Sequence, residues 1–241
     1  MLKRVLLVSL IAVPLMSGGL FGQSPEPDAF QPDYAFSGLS VAVWHVDLSF
    51  LSDALEAAGY PALPSVVAFY GQTSSIGRLD GLRFGILAGY GLTASRASAR
   101  RAELSFTLGA GLVEWGWGHG PDASIAFGLL LGAGSSVLTA IDHLPRTFDD
   151  ALNVPFRAEF DSWLYTIEPT ISAQGTPAPW LAVKLRIGYL LTFGCSWRIE
   201  GLPLDRRPGL FGGPIAEVSF QFISERFFAS MTPTENEAAT E

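Results

Sequence analysis

The chain has 241 residues, 49% of them hydrophobic and 16% charged, with a formal net charge of -8 and one cysteine. So apolar a chain is not a disordered one, and its charge lies well below the roughly 25% usual in soluble domains. An acidic balance with no clustered basic face excludes a nucleic-acid partner, and a lone cysteine excludes an internal disulfide framework or a thiolate metal cage.

Lys3 and Arg4 precede an apolar run from Val5 to Met16, followed by Ser17, Gly18 and Gly19. That basic, greasy and small-residue order is the pattern of a secretory signal, and the run is too short for a spanning helix, which needs roughly 20 residues. Residues 1–22 are therefore expected to be a cleavable export signal. Residues 23–36 follow as a linker, with Pro25, Pro27 and Pro32 among acidic residues, a composition that holds neither ladder nor helix. Thr232 to Glu241 is polar and acidic, so residues 229–241 read as a disordered tail, leaving 37–228 for the fold.

Within that span the dominant period is two, the signature of strands. Leu82, Phe84, Ile86, Ala88, Tyr90 and Leu92 oppose Arg83, Gly85, Leu87, Gly89 and Gly91. Leu104, Phe106, Leu108, Ala110 and Leu112 oppose Glu103, Ser105, Thr107, Gly109 and Gly111. Trp163, Tyr165, Ile167 and Ile171 oppose Ser162, Thr166, Glu168, Thr170 and Ser172. Val183, Leu185, Ile187 and Tyr189 oppose Lys184, Arg186 and Gly188, and Ala216, Val218, Phe220 and Phe222 oppose Glu217, Ser219 and Gln221. Gly38 to Leu48 and Ser65 to Gly71 are further strands whose faces the sequence does not declare. Phe50 to Gly59 reads as a short helix capped by Ser52, ended by Gly59, and placed on the membrane surface or over a barrel mouth.

Ala123 to Ile141 holds 19 uncharged residues, long enough for a transmembrane helix. Its alternation of Ile125, Phe127, Leu129 and Leu131 with Ser124, Ala126, Gly128 and Gly132 instead favours a strand.

That makes about eight strands. Their connections on the side away from the N-terminus, roughly 49–64, 95–101, 139–156 and 197–211, are in three cases of four longer than those on the near side, at 73–80, 117–122 and 173–178. The alternation resembles small bacterial outer-membrane β-barrels, which have short periplasmic turns, long outer loops and an even strand count. The resemblance covers about 188 residues at the level of architecture, with no family motif. It implies an all-β, single antiparallel up-and-down barrel of transmembrane type, in the outer membrane of a diderm bacterium. One departure is that the chain continues past Phe222, through Phe227 and Phe228, into its tail, whereas such barrels commonly end on an aromatic residue.

The polar faces separate barrel types. A closed eight-stranded sheet leaves room only for side chains, and charges inside it have to pair. Arg83, Lys184 and Arg186 against Glu103, Glu168 and Glu217 give three of each sign, expected as a luminal charge network among small neighbours. Tyr90, Trp115, Trp117, Trp163, Trp180 and Tyr189 are expected as aromatic girdles at the membrane boundaries. A soluble barrel or sandwich would turn its apolar face inward and carry a dense polar exterior, which this sequence lacks.

Catalytic signals are thin. His45 and Asp47 share one face of a strand, with Ser40 or Ser49 as a nucleophile, but no nucleophile motif accompanies them. His119 sits in a glycine-rich turn, Asp142, His143, Asp149 and Asp150 in an acidic loop, and Cys195 beside a strand end. The glycine runs at 85–91 and 109–118 precede no helix and are not phosphate loops. The expectation is a non-enzymatic, monomeric surface or scaffold protein with a filled lumen, no metal and no cofactor. Its partners would be membrane lipid and a protein or surface ligand met by the long loops. The alternatives are a secreted or periplasmic soluble β-barrel with an apolar ligand, and a lipid-modifying barrel enzyme.

Overall fold

A computed structural model describes residues 34–118, 123–142, 157–178, 180–194, 197–199, 202–204 and 211–223. In chain order these form β1 (Tyr34–His45), α1 (Ser49–Ala57), β2 (Val66–Gly77), β3 (Gly81–Ala97), β4 (Arg100–Gly118), β5 (Ala123–Ile141), β6 (Arg157–Ala178), β7 (Leu181–Gly194), the two-residue strands β8 (Arg198–Ile199) and β9 (Leu202–Pro203), and β10 (Phe211–Ile223). Each long strand pairs antiparallel with its neighbours in sequence, and β10 returns to pair with β1 from Phe36↔Ile223 to Trp44↔Ile215. Eight strands thus close into an up-and-down barrel, with β8 and β9 as a small hairpin on the far end of β6. Closure leaves no long sheet edge to cover.

Several expected boundaries move. β1 starts at Tyr34, so the last residues of the expected linker belong to the barrel wall. Ala123–Ile141 is a strand bonded on both sides, and among the described residues no helix is long and apolar enough to cross a membrane. The far-side connection expected at 95–101 shrinks to a hairpin at Ser98 and Ala99, because β3 and β4 pair down to Ala97↔Arg100, with Ser98 at φ 53°. The other three far connections span 46–65, 142–156 and 195–210, against near-side connections at 78–80, 119–122 and 179–180.

The helix ends as its glycine requires: Gly59 has φ +80°, costly for a side chain, and its N–H and that of Tyr60 return to Glu56 and Leu55. Its start differs from expectation. The N-cap is Leu48 with no side-chain cap, while Ser52 accepts a hydrogen bond from the Leu63 N–H at 3.2 Å. Leu51 and Leu55 are buried against Leu48, Leu63 and Trp44, so α1 closes the far mouth. Beneath it Trp44, Phe69, Phe106 and Phe211 pack with ring centroids 5.3 to 6.2 Å apart. At the near mouth Tyr34, Phe36 and Ala182 form a second apolar cluster with Leu79.

Pro169 lies within β6. It keeps its place opposite Leu129 of β5, but the ladder to β7 lapses at Glu168 and Pro169 and resumes at Thr170↔Gly188. Proline has no N–H to donate, so the ladder on the side its nitrogen faces loses a bond there.

Candidate functional site

Alternation carries one face of every strand inside and the other outside. Outside, Leu39, Val41, Phe84, Val113, Ile125, Phe127, Leu131, Leu185, Ile187, Val218 and Phe220 are all exposed, and they ring the barrel. Of the expected girdle, Trp115, Trp117, Trp163, Trp180 and Tyr189 face outward with 49% to 57% of their surface free, and Tyr90 is half-buried opposite Tyr70. Trp117 packs edge-on against Phe127, and Trp180 stacks on Phe222 near the short turns. From Trp180, just before β7, Tyr189 is nine residues on and Phe193 thirteen. At about 3.3 Å per residue and a tilt near 40° these spans are about 23 and 33 Å, bracketing the ~25 Å apolar band of outer-membrane barrels.

Inside, between the two apolar plugs, lie Arg83, Glu114, Glu168, Lys184, Arg186 and Glu217, none more than 7% exposed. Lys184 Nζ meets Glu114 Oε2 at 2.5 Å, and the Ser172 hydroxyl donates to the other oxygen at 2.9 Å. Arg186 serves two carboxylates, Glu217 through Nη2 and Glu168 through Nη1 at 3.0 Å. Arg83 lies over the Tyr34 ring, 5.9 Å from its centroid, and donates to the carbonyl oxygens of Arg78 and Leu79. It thereby ties the near turn across the mouth. Three cations and three anions still balance.

The anions are not the expected set. Glu103 faces outward on β4, where it pairs with Arg101 on the same face at partly exposed positions, while Leu104, Phe106 and Leu108 turn inward. The cause is the far half of the lumen, which is apolar: the β4 row meets Trp44, Phe69 and Phe211 there. Nor are the inward positions of that half small; they are aromatic and aliphatic. Glu114, which sequence reasoning missed, takes the third anionic place. A signal for it existed, since Val113, Trp115 and Trp117 are lipid-like residues alternating with Glu114, and extending that parity without a break puts Leu104 inside as well.

The histidine sites come apart. His45 faces outward and its Nε2 lies 3.4 Å from the Ser65 hydroxyl, whereas Ser40 points into the lumen from the opposite face of β1. Asp47 accepts a hydrogen bond from the Ser49 backbone N–H at 3.0 Å, and that bond, with the Ser49 hydroxyl, holds its carboxyl below the usual range. Asp142 pairs with Arg100 at 2.6 Å. Among the described residues no three or more metal-binding side chains gather. His119, His143, Asp149, Asp150, Cys195, Phe227, Phe228, the export signal and the acidic tail lie outside the described residues.

Neither a protein-family model nor a curated protein sequence matches the chain. Among solved structures it is similar to Ail, the attachment invasion locus protein of Yersinia pestis, at 10% identity and a TM-score of 0.44, the match covering 79% of this chain and 99% of that one. The architecture is a closed, antiparallel, up-and-down barrel of eight strands.

Proposed function

We propose that this protein is an exported, monomeric, non-enzymatic barrel of a diderm outer membrane, a surface or scaffold protein whose lumen is filled and whose long far-side connections meet a protein or surface ligand. The observation that carries this is the inversion of polarity: a continuous apolar wall faces outward while ionised groups are sealed inside. In water such a wall would far exceed the apolar patch of a few hundred Å² that soluble monomers carry. Against a soluble calyx, the luminal cavity lined by Ser40, Glu168 and Arg186 is only about 20 Å³, far below the roughly 300 Å³ of a small-ligand site, and the roomier cavity of about 440 Å³, lined by His45, Ser49, Leu63 and Gly213, is a more open one at the far mouth.

The test is membrane fractionation followed by gel migration with and without boiling. Recovery in the outer-membrane fraction, with a folded form that resists cold detergent and shifts on heating, is the expected result. Recovery in the soluble fraction without detergent overturns the membrane reading, and a stable, large conductance from the purified monomer in a planar bilayer overturns the filled lumen.

A further inference from the structure

A small luminal cavity sits where the apolar and ionic halves of the lumen meet. Leu108 and Leu190 line one side, and Ser40, Glu168, Arg186 and Glu217 the other. Glu168 Oε1 and Arg186 Nη1 are fully desolvated and 3.0 Å apart, yet neither has a well-directed hydrogen bond. Arg186 is shared between two carboxylates, so its fork cannot align with both at once. Glycine at 188 makes the room, since a β-carbon there would stand 2.6 Å from Glu168 Oε1. Directly beside it, at Glu168 and Pro169, the ladder between β6 and β7 lapses.

A buried polar pair left in this state costs free energy, and a water is the smallest group that relieves it. The volume, about 20 Å³, exceeds the roughly 10–15 Å³ that one water needs, and two to four polar partners are the usual complement. We infer that this cavity is a binding site for a single long-lived water, which accepts from Arg186 Nη1, donates to Glu168 Oε1 and bonds the Ser40 hydroxyl. The water completes the coordination of a guanidinium that must satisfy two carboxylates, at a height between α1 with its aromatic layer on one side and Tyr34, Phe36 and Arg83 on the other. This site rests on the filled-lumen reading above.

The experiment is oxygen-17 magnetic relaxation dispersion of water on the purified full chain in detergent micelles, comparing the wild type with Ser40→Val, which fills the cavity with methyl groups. The wild type is expected to show a slowly exchanging component that falls by about one water in Ser40→Val while the barrel stays heat-modifiable. An equal amplitude in the two proteins overturns the site. If Ser40→Val does not fold, Ser40→Ala decides: it keeps the space but removes one partner, so the dispersion should move to higher frequency, and an unmoved dispersion overturns the proposal. Failure of the underlying reading looks different, since an open lumen exchanges its water rapidly and also conducts in a planar bilayer.

Discussion

Replacing Glu114 by leucine removes, among the described residues, the carboxylate that meets Lys184. At 2.5 Å and an effective dielectric near 20, their gross attraction is about 7 kcal/mol, most of it offset by the cost of taking both ions out of water. The net loss on removing one partner is set by the other, left buried and ionised with only 5% of its surface exposed, and is expected at about 3–5 kcal/mol. Lys184→Met should rescue it, returning the double variant to within about 1 kcal/mol of wild type, because an apolar pair of similar volume replaces an ion pair nearly without penalty. Glu103→Leu is the internal control. Its partner Arg101 keeps 41% of its side-chain surface free, and an exposed pair contributes roughly 0–1 kcal/mol. The assay is equilibrium unfolding by guanidinium in detergent micelles, followed by tryptophan fluorescence and by the heat-dependent gel shift. A Glu114→Leu cost within about 0.5 kcal/mol of zero, or equal to that of Glu103→Leu, would refute the placement of Glu114 in a water-free lumen.

Val41→Arg, on the outer wall of β1, should destabilise the barrel in vesicles by about 2–4 kcal/mol; a near-neutral effect there would mean the wall faces water. Gly38→Ala and Gly213→Ala should prevent assembly of the heat-modifiable form, since the added methyl would overlap the carbonyl oxygens of Phe220 and His45 across the β1–β10 seam. Gly109→Ala and Gly111→Ala, with nothing within 4 Å of the new carbon, should stay within about 0.5 kcal/mol of wild type, and a large loss in either would contradict their outward placement. Leu55→Ala, which removes a buried anchor of α1, should cost about 2–5 kcal/mol in the same unfolding assay; no measurable cost would mean that the helix does not plug the mouth.

Much of this barrel is legible residue by residue. Period-two alternation marks Leu82–Thr93, Ala123–Ile141 and Leu181–Leu190 as strands because a pleated strand sends successive side chains to opposite faces. Charge on the weaker face of β7 and β10, at Lys184, Arg186 and Glu217, identifies the lumen on those strands, since an ion cannot face lipid and these three sit opposite Leu185, Ile187 and Val218. On β4 the same logic misleads. Glu103 lies level with Glu159 across β5, at partly exposed positions where a charge is free to face outward, and the greasy row opposite it is greasy because it meets a luminal plug. Ser52 misleads for a related reason: a hydroxyl near a helix start fits a cap, but the loop returning through Leu63 claims it.

The amino-acid order alone determined that strands form, roughly how many, and that ionised groups of both signs would have to find each other inside the sheet, because those follow from local geometry and from the cost of burying charge. Tertiary structure alone decided what the Leu104, Phe106 and Leu108 row packs against, that Glu114 reaches Lys184 across the lumen, and that α1 stoppers the mouth. Those depend on which residues of distant strands share a height in the lumen, and that is fixed by register and tilt around the closed sheet, quantities that no single strand encodes.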